Sequence, residues 1–372
     1  MIRPPLSAVF FLTLVIFCVA SAPSASSQDS PKSWEPSSLQ AKSHEDQAEI
    51  QALRRIEKAI LSLGELPHDD RAAFTDLHAR RHEKGFRAIY TMDRDGSNVR
   101  YLVAGDGLIS SATPEWSHNG HYIAFDGTPQ RQRFTLSRIV VAAVDGPFRG
   151  RVQDLGHGNV PTWSPDDDQI AFMLNSSNPR NDAGGIWVMN SDGSERRHLC
   201  DGWYPRWSPD GKSLAIQCIN KRPNRIQIYD IASGRLTDIL GDEMEIEYSG
   251  GNWSPDGTKL VFVGQRDGQE HVATIEATGD LDTLQILYTE HRRGFRLYGP
   301  PAWSPDGEQI VVSIQESGQQ RLSGQWTNSY LYSLSVSEPG LISLLEPERI
   351  GTINRGMSFS LDGKTIAFSS DR

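Results

Sequence analysis

The sequence predicts an all-β fold: a six-bladed β-propeller of four-stranded antiparallel blades, preceded by a short N-terminal helical extension. Three observations predict it. A phrase of the type aromatic-Ser-Pro-Asp-Gly, followed by an apolar triplet, occurs six times between residues 114 and 368. A second hairpin with an Asn/Asp-Gly turn sits between successive phrases. One such hairpin is left over before the first phrase, while the last phrase has none behind it. Units of about 45 residues, each able to form four strands, have the size of a propeller blade.

The first phrase reads Pro114-Glu115-Trp116-Ser117-His118-Asn119-Gly120, with the triplet Ile123-Ala124-Phe125. Trp163-Ser164-Pro165-Asp166-Asp167 follows with Ile170-Ala171-Phe172, then Trp207-Ser208-Pro209-Asp210-Gly211 with Leu214-Ala215-Ile216. The later copies begin at Trp253, Trp303 and Phe359 and carry Leu260-Val261-Phe262, Ile310-Val311-Val312 and Ile366-Ala367-Phe368. Successive aromatics lie 47, 44, 46, 50 and 56 residues apart. The phrase is turn chemistry: Pro presets φ, Asp bonds the turn backbone, and Gly accepts the left-handed conformation that closes a hairpin. Asp167 stands where the other copies have Gly, so this hairpin is expected to be the weakest.

The second hairpin is clearest at Ile186-Trp187-Val188-Met189-Asn190-Ser191-Asp192-Gly193-Ser194. Weaker copies run over 139–155, 226–240, 272–287 and 330–345. The spare copy, at 88–103 with the turn Asp93-Arg94-Asp95-Gly96, is expected to complete the last blade and close the ring, which removes free sheet edges.

Residues 1–22 read as a secretory signal, because Arg3 precedes an apolar run from Leu6 to Ala20 with a small-residue exit at Ser21-Ala22. That run falls short of the ~20 residues that span a bilayer, so no stable membrane span is expected after cleavage. The expected location is periplasmic or secreted. Residues 23–42 are Ser- and Pro-rich and read as a flexible linker. A helical extension is expected over 43–85, where Ile50, Leu53, Ile56, Ile60 and Leu63 recur at helical spacing. The propeller then occupies 86–372. Hydrophobic residues at 37% and charged residues at 23% exclude bulk disorder, and a formal charge of −10 argues against a general nucleic-acid binder.

The Trp-Ser-Pro-Asp-Gly phrases and the Asn-Ser-Asp-Gly hairpin resemble the repeats of the TolB-type six-bladed propellers, over roughly residues 86–372. The resemblance implies the fold. Proteins that carry this propeller include the periplasmic TolB of the Tol–Pal system, sugar-acid lyases, and accessory domains of prolyl oligopeptidase-like peptidases. TolB has an α/β domain ahead of its propeller, where this chain has only residues 23–85. The peptidases carry a Gly-x-Ser-x-Gly nucleophile turn, which this sequence lacks. Function must therefore be argued from a site.

Alternate loops of an antiparallel blade share a side. Both families of tight turn therefore fall on one face of the disc, and the longer connections (126–137, 175–185, 289–300 and 315–329) on the other. Long loops on a rigid scaffold are the default binding region. The candidate binding residues there are Trp203, Tyr204, Arg292, Arg293, Arg296 and Tyr298, since aromatics with guanidinium groups can stack on a sugar or hold a carboxylate. No catalytic residue, metal or cofactor is assigned: the ten His are scattered, and the Asp93 to Asn98 stretch is better explained as a hairpin turn than as a calcium loop. The expected function is that of a non-enzymatic, monomeric exported propeller that binds a protein partner or a cell-envelope glycan. The alternative is a propeller lyase or hydrolase acting on acidic carbohydrate, built from His and carboxylates converging at the channel mouth. Cys200 and Cys218 form the candidate disulfide, although it would join an outer strand to the second strand of the next blade.

Overall fold

The computed structural model describes residues 86–105, 107–129, 134–146, 149–218, 224–246, 251–317, 326–345 and 354–371. The signal, linker and helical extension read from the sequence lie outside these residues. The chain enters as the hairpin β1 (Ala88–Asp93) and β2 (Arg100–Val103). Blade 1 follows with β3 (Ser110–Trp116), β4 (Tyr122–Thr128), β5 (Arg138–Ala143) and β6 (Val152–His157). Blade 2 is β7 (Asn159–Trp163), β8 (Gln169–Leu174), β9 (Gly185–Asn190) and β10 (Arg197–Cys200). Blade 3 is β11 (Trp203–Trp207), β12 (Ser213–Cys218), β13 (Arg225–Asp230) and β14 (Leu236–Asp238).

In blade 4 the inner strand is split into β15 (Glu245–Ile246) and β16 (Asn252–Trp253), both paired with β17 (Lys259–Arg266). β18 (Gln269–Glu276) and β19 (Gln285–Glu290) complete it. Blade 5 is β20 (Phe295–Trp303), β21 (Gln309–Ser317), β22 (Trp326–Ser335) and β23 (Ile342–Leu344). The last sheet takes β24 (Asn354–Phe359) and β25 (Thr365–Ser370) from the end of the chain and runs in the order β2-β1-β25-β24. Ala88 lies opposite Ser370 and Asp93 opposite Thr365, so the spare hairpin does supply the outer half of blade 6.

The buried core is six layers, one at each seam between blades, rather than a single centre. The apolar triplet explains this. Its small middle residue (Ala124, Ala171, Ala215, Val261, Val311 or Ala367) faces the following blade, and its two larger flanking residues face the preceding one. Phe125, Phe172, Phe262 and Phe368 are fully buried in that arrangement. Large groups thus meet small ones across each seam, which close packing requires.

The phrase also ties blades together. In each copy the Ser hydroxyl accepts a backbone N–H from five residues on, as from Lys259 to Ser254 at 2.9 Å. It donates to the side-chain oxygen two residues on, as from Ser254 to Asp256 at 2.6 Å. Trp indoles reach backward: Trp163 Nε1 donates to the Glu115 carbonyl at 3.3 Å, Trp253 to Arg206 at 3.1 Å and Trp303 to Asn252 at 3.2 Å. At three seams the turn Gly backs onto the Pro of the preceding turn, as Gly211 does onto Pro165.

The seam between blades 1 and 2 departs from this pattern twice, and the departures compensate. His118 replaces Pro and so exposes an N–H; Asp167 replaces Gly, at φ 59°, and is buried. The Asp167 carboxylate accepts the backbone N–H groups of His118 and Asn119, both at 2.8 Å, and lies 3.4 Å from the His118 ring Nδ1. The conformational cost that turn chemistry assigns to Asp167 is offset by a clasp between blades, a long-range contact that the pentapeptide does not reveal.

Two connections are shorter than expected. β19 reaches Glu290 and β20 begins at Phe295, so the expected loop over 289–300 narrows to 291–294. Arg296 pairs with Gln315 and Tyr298 with Ser313. Gly299, at φ 76°, and Pro300 are absorbed as a bulge within β20 instead of ending it. β21 and β22 likewise run to Ser317 and from Trp326, into the region expected as loop.

Candidate functional site

The inner strands start at the channel mouth on the long-connection face, and most of them are bulged there. Register breaks fall between Ala112 and Glu115, Asn159 and Thr162, Trp203 and Arg206, Tyr298 and Ala302, and Arg355 and Met357. Three bulges hold residues other than glycine in the left-handed region: Thr113 at φ 44°, Val160 at 51° and Tyr204 at 53°. Such positions cost of order 1–3 kcal/mol each and persist where the surroundings fix them. Asp126 fixes two of them. Its buried carboxylate accepts the Thr113 hydroxyl, the Ser137 hydroxyl at 3.1 Å and the Val160 N–H at 3.4 Å. Burial pushes the Asp126 carboxyl above its usual range, against the pull of these hydrogen bonds.

The sequence-derived candidates fall into two groups on this face. Trp203 opens β11 opposite Gln217 and is 40% exposed, and half-buried Tyr204 follows it in the strained bulge. The second group surrounds the start of β20. Arg292 donates to both Glu290 oxygens, from Nε at 2.9 Å and Nη2 at 2.7 Å, and to the Tyr332 hydroxyl at 3.1 Å. Its guanidinium also covers the Phe295 ring, 4.4 Å from the centroid. Despite burial, these bonds hold the Glu290 carboxyl below its usual range. Arg296 Nε donates to Glu270 at 2.7 Å, and Glu270 also accepts the Leu297 N–H at 2.6 Å. Arg292 and Arg296 are thus engaged within the fold, as loop and strand fasteners. Arg293 is exposed and Tyr298 half-buried beside them. The Trp203 pair begins the inner strand of blade 3, and this cluster that of blade 5, two blades further on.

Nearer the turn face, three inner strands share one buried network that single-residue reading missed. Glu115 accepts the Thr162 hydroxyl at 2.7 Å and lies 3.7 Å from the Arg206 guanidinium. Burial raises the Glu115 carboxyl above its ordinary range, and Arg206 opposes that rise. The signal for this network was present in the repeat, since all three residues stand directly before the phrase Trp. Cys200 ends β10 and Cys218 ends β12, and both are free thiols, so the candidate bridge is not formed. Those two strands are not neighbours. Burial pushes the Cys200 thiol up to about 12, which makes it a poor nucleophile. Among the described residues, no group of three His, Cys, Asp or Glu side chains is placed to hold a metal ion.

Comparison with known proteins agrees with the architecture. A protein designated TolB from Agrobacterium tumefaciens superposes with a TM-score of 0.59 at 19% identity, covering 76% of this chain and 97% of that one. TolB from Acinetobacter baumannii gives 0.50 at 15% identity, over 77% and 64%. These likenesses concern the fold. An uncharacterized protein of Agrobacterium fabrum is 27% identical over 197 residues, 49% of this chain and 63% of that protein. An uncharacterized peptidase of Bacillus subtilis is 29% identical over 128 residues, 32% of this chain and 19% of the peptidase. The chain therefore spans less than two thirds of the length of these curated relatives. The family model of the TolB β-propeller domain, PD40, matches residues 68–278, more than half of the sequence. With its turn phrases, bulged inner strands and ring closure, the chain belongs to the PD40 family of TolB β-propeller domains.

Proposed function

We propose that the protein is a non-enzymatic exported propeller that engages a protein partner or a cell-envelope glycan through its long-connection face. The observation that carries this reading is Trp203. It is a large aromatic, 40% exposed, on the first residue of an inner strand at the channel mouth, and the strained backbone of Tyr204 adjoins it. A rigid aromatic anchor of this kind supports the stacking of a sugar ring or the burial of a partner side chain. Tyr298 and Arg293 extend the same face, while Arg292 and Arg296 keep the β19–β20 connection in shape.

The test is co-sedimentation with isolated peptidoglycan sacculi, together with binding to a detergent extract of envelope proteins. Trp203→Ala is expected to weaken whichever interaction is found by at least about tenfold, with melting temperature unchanged. Equal binding by wild type and Trp203→Ala would overturn the assignment. Turnover of polygalacturonate by the purified chain would replace it with a carbohydrate-active enzyme.

A further inference from the structure

At the seam between blade 6 and blade 1, the turn face contains a cavity of about 140 Å³. Its walls come from both sides. Arg100 and Asn98 belong to the closing hairpin, Arg149 comes from the outer turn of blade 1, and Trp116 belongs to the inner strand of blade 1. Gly150 backs onto the Leu102 carbonyl, and this packing sets Arg149 beside the hairpin that carries Arg100.

Arg100 and Arg149, both exposed, are not matched as five other arginines are. At the preceding seam Arg94 of blade 6 donates to Gln309 at 2.9 Å and pairs with Asp306 of blade 5. Arg138, Arg225, Arg292 and Arg296 each pair with a carboxylate. The side chains of Arg100 and Arg149 have no such partner among the described residues. The carboxylate in the cavity wall, Asp93, accepts the Asn98 amide at 2.7 Å. Two like charges converging on one cavity repel unless an anion lies between them. The Trp116 indole adds a second observation: its buried Nε1 has no acceptor, as is also true of Trp207, whereas the indoles of Trp163, Trp253 and Trp303 donate to the preceding blade, and of the two only Trp116 lines this cavity. Buried donors without partners call for a specific explanation.

We propose that this cavity binds an oxyanion, the phosphate or carboxylate group of a small ligand or of a partner chain, gripped between Arg100 and Arg149 over Trp116. The volume suits it, because about 30 Å³ per water leaves room for roughly four waters or one such group. Guanidinium groups match oxyanions bidentately. The site lies on the opposite face of the disc from Trp203 and does not depend on the function proposed for that face. Because its two arginines come from blade 6 and blade 1, a bound anion also ties that seam together.

Calorimetric titration of the full chain with inorganic phosphate, and separately with acetate, at constant ionic strength tests this. Saturable binding of at least one anion is expected, together with a raised melting temperature. Tighter binding of phosphate assigns a phosphorylated ligand, and tighter binding of acetate a carboxylated one. Arg100→Gln with Arg149→Gln should lower the affinity at least about tenfold while leaving the anion-free melting temperature unchanged. Arg149→Gln alone, in an exposed turn, should lower it less. Trp116→Phe should weaken binding with both arginines present. Absence of saturable binding of either anion, or equal affinity in the double variant, overturns the site.

Discussion

The two substitutions that set the first seam apart, His118 for Pro and Asp167 for Gly, make sense only together. Asp167→Gly alone strands two N–H groups, at about 1–3 kcal/mol for each that stays buried. His118→Pro alone removes one donor from a buried carboxylate. The double change rebuilds the Gly-on-Pro contact of other seams and is expected to recover most of the loss; urea unfolding of the four proteins would give a coupling of about 0.5–3 kcal/mol. Protonation modulates the same clasp. Burial works against a charged His118, but the bond and charge of Asp167, with Glu115 and Asp166 adding to them, leave its pKa above 6.5. A folded-state value above the unfolded one stabilises fully below about 6.5 and is lost as pH rises through the folded value. Wild type should therefore gain melting temperature over the double variant on moving from about pH 8.5 to about 5.5, and a difference independent of pH would refute the clasp. Asp126 supports a comparable prediction at the mouth. Asp126→Ala frees the strained Thr113 and Val160 bulges and should cost about 2–3 kcal/mol, read by the same unfolding assay.

Among the elements, the closing hairpin has the tightest fit. Gly96 turns it at φ 88°, and a Cβ built there would lie 1.5 Å from the Leu345 carbonyl oxygen of blade 5. Gly96→Ala must displace backbone, so limited proteolysis should cut β1 and β2 much faster. Gly120→Ala, at φ 75° with nothing within 4 Å, has only backbone strain to bear and should cost about 1 kcal/mol. The strands and turns were legible because their signal is local: Ser-Pro-Asp-Gly dictates a hairpin wherever it stands. The bulges were not. Val160 and Thr113 are β-branched residues that avoid the left-handed region, and what keeps them there is Asp126, from the next strand or the preceding blade. Gly299 and Pro300 misled for a related reason, since they read as a loop when taken alone and as a bulge once Arg296 and Tyr298 pair with β21. Of the candidate site, the exposed aromatic at 203 was legible; the engagement of Arg292 and Arg296 by Glu290 and Glu270 was not, because carboxylate partners on neighbouring strands leave no mark in the loop itself.

Across the whole molecule, stability is distributed around a ring of six seams, each needing both neighbours. Phe262→Ala empties one layer and should cost about 3–5 kcal/mol, comparable to a change at any equivalent Phe. Loss of one layer should still unfold the ring in one transition; a separate early transition in calorimetry would show instead that blades melt independently. The pairing of Ala88 with Ser370 has a further consequence, in time. During synthesis β1 and β2 precede the other described strands, yet β25, which must cover β1, is the last of them. Until β25 is made, the chain carries an unpaired edge and the side chains of Tyr90 and Met92, which pack against blades 5 and 6. Contacts this distant in sequence make folding slow, and the nascent chain is exposed to mispairing until its final strand arrives.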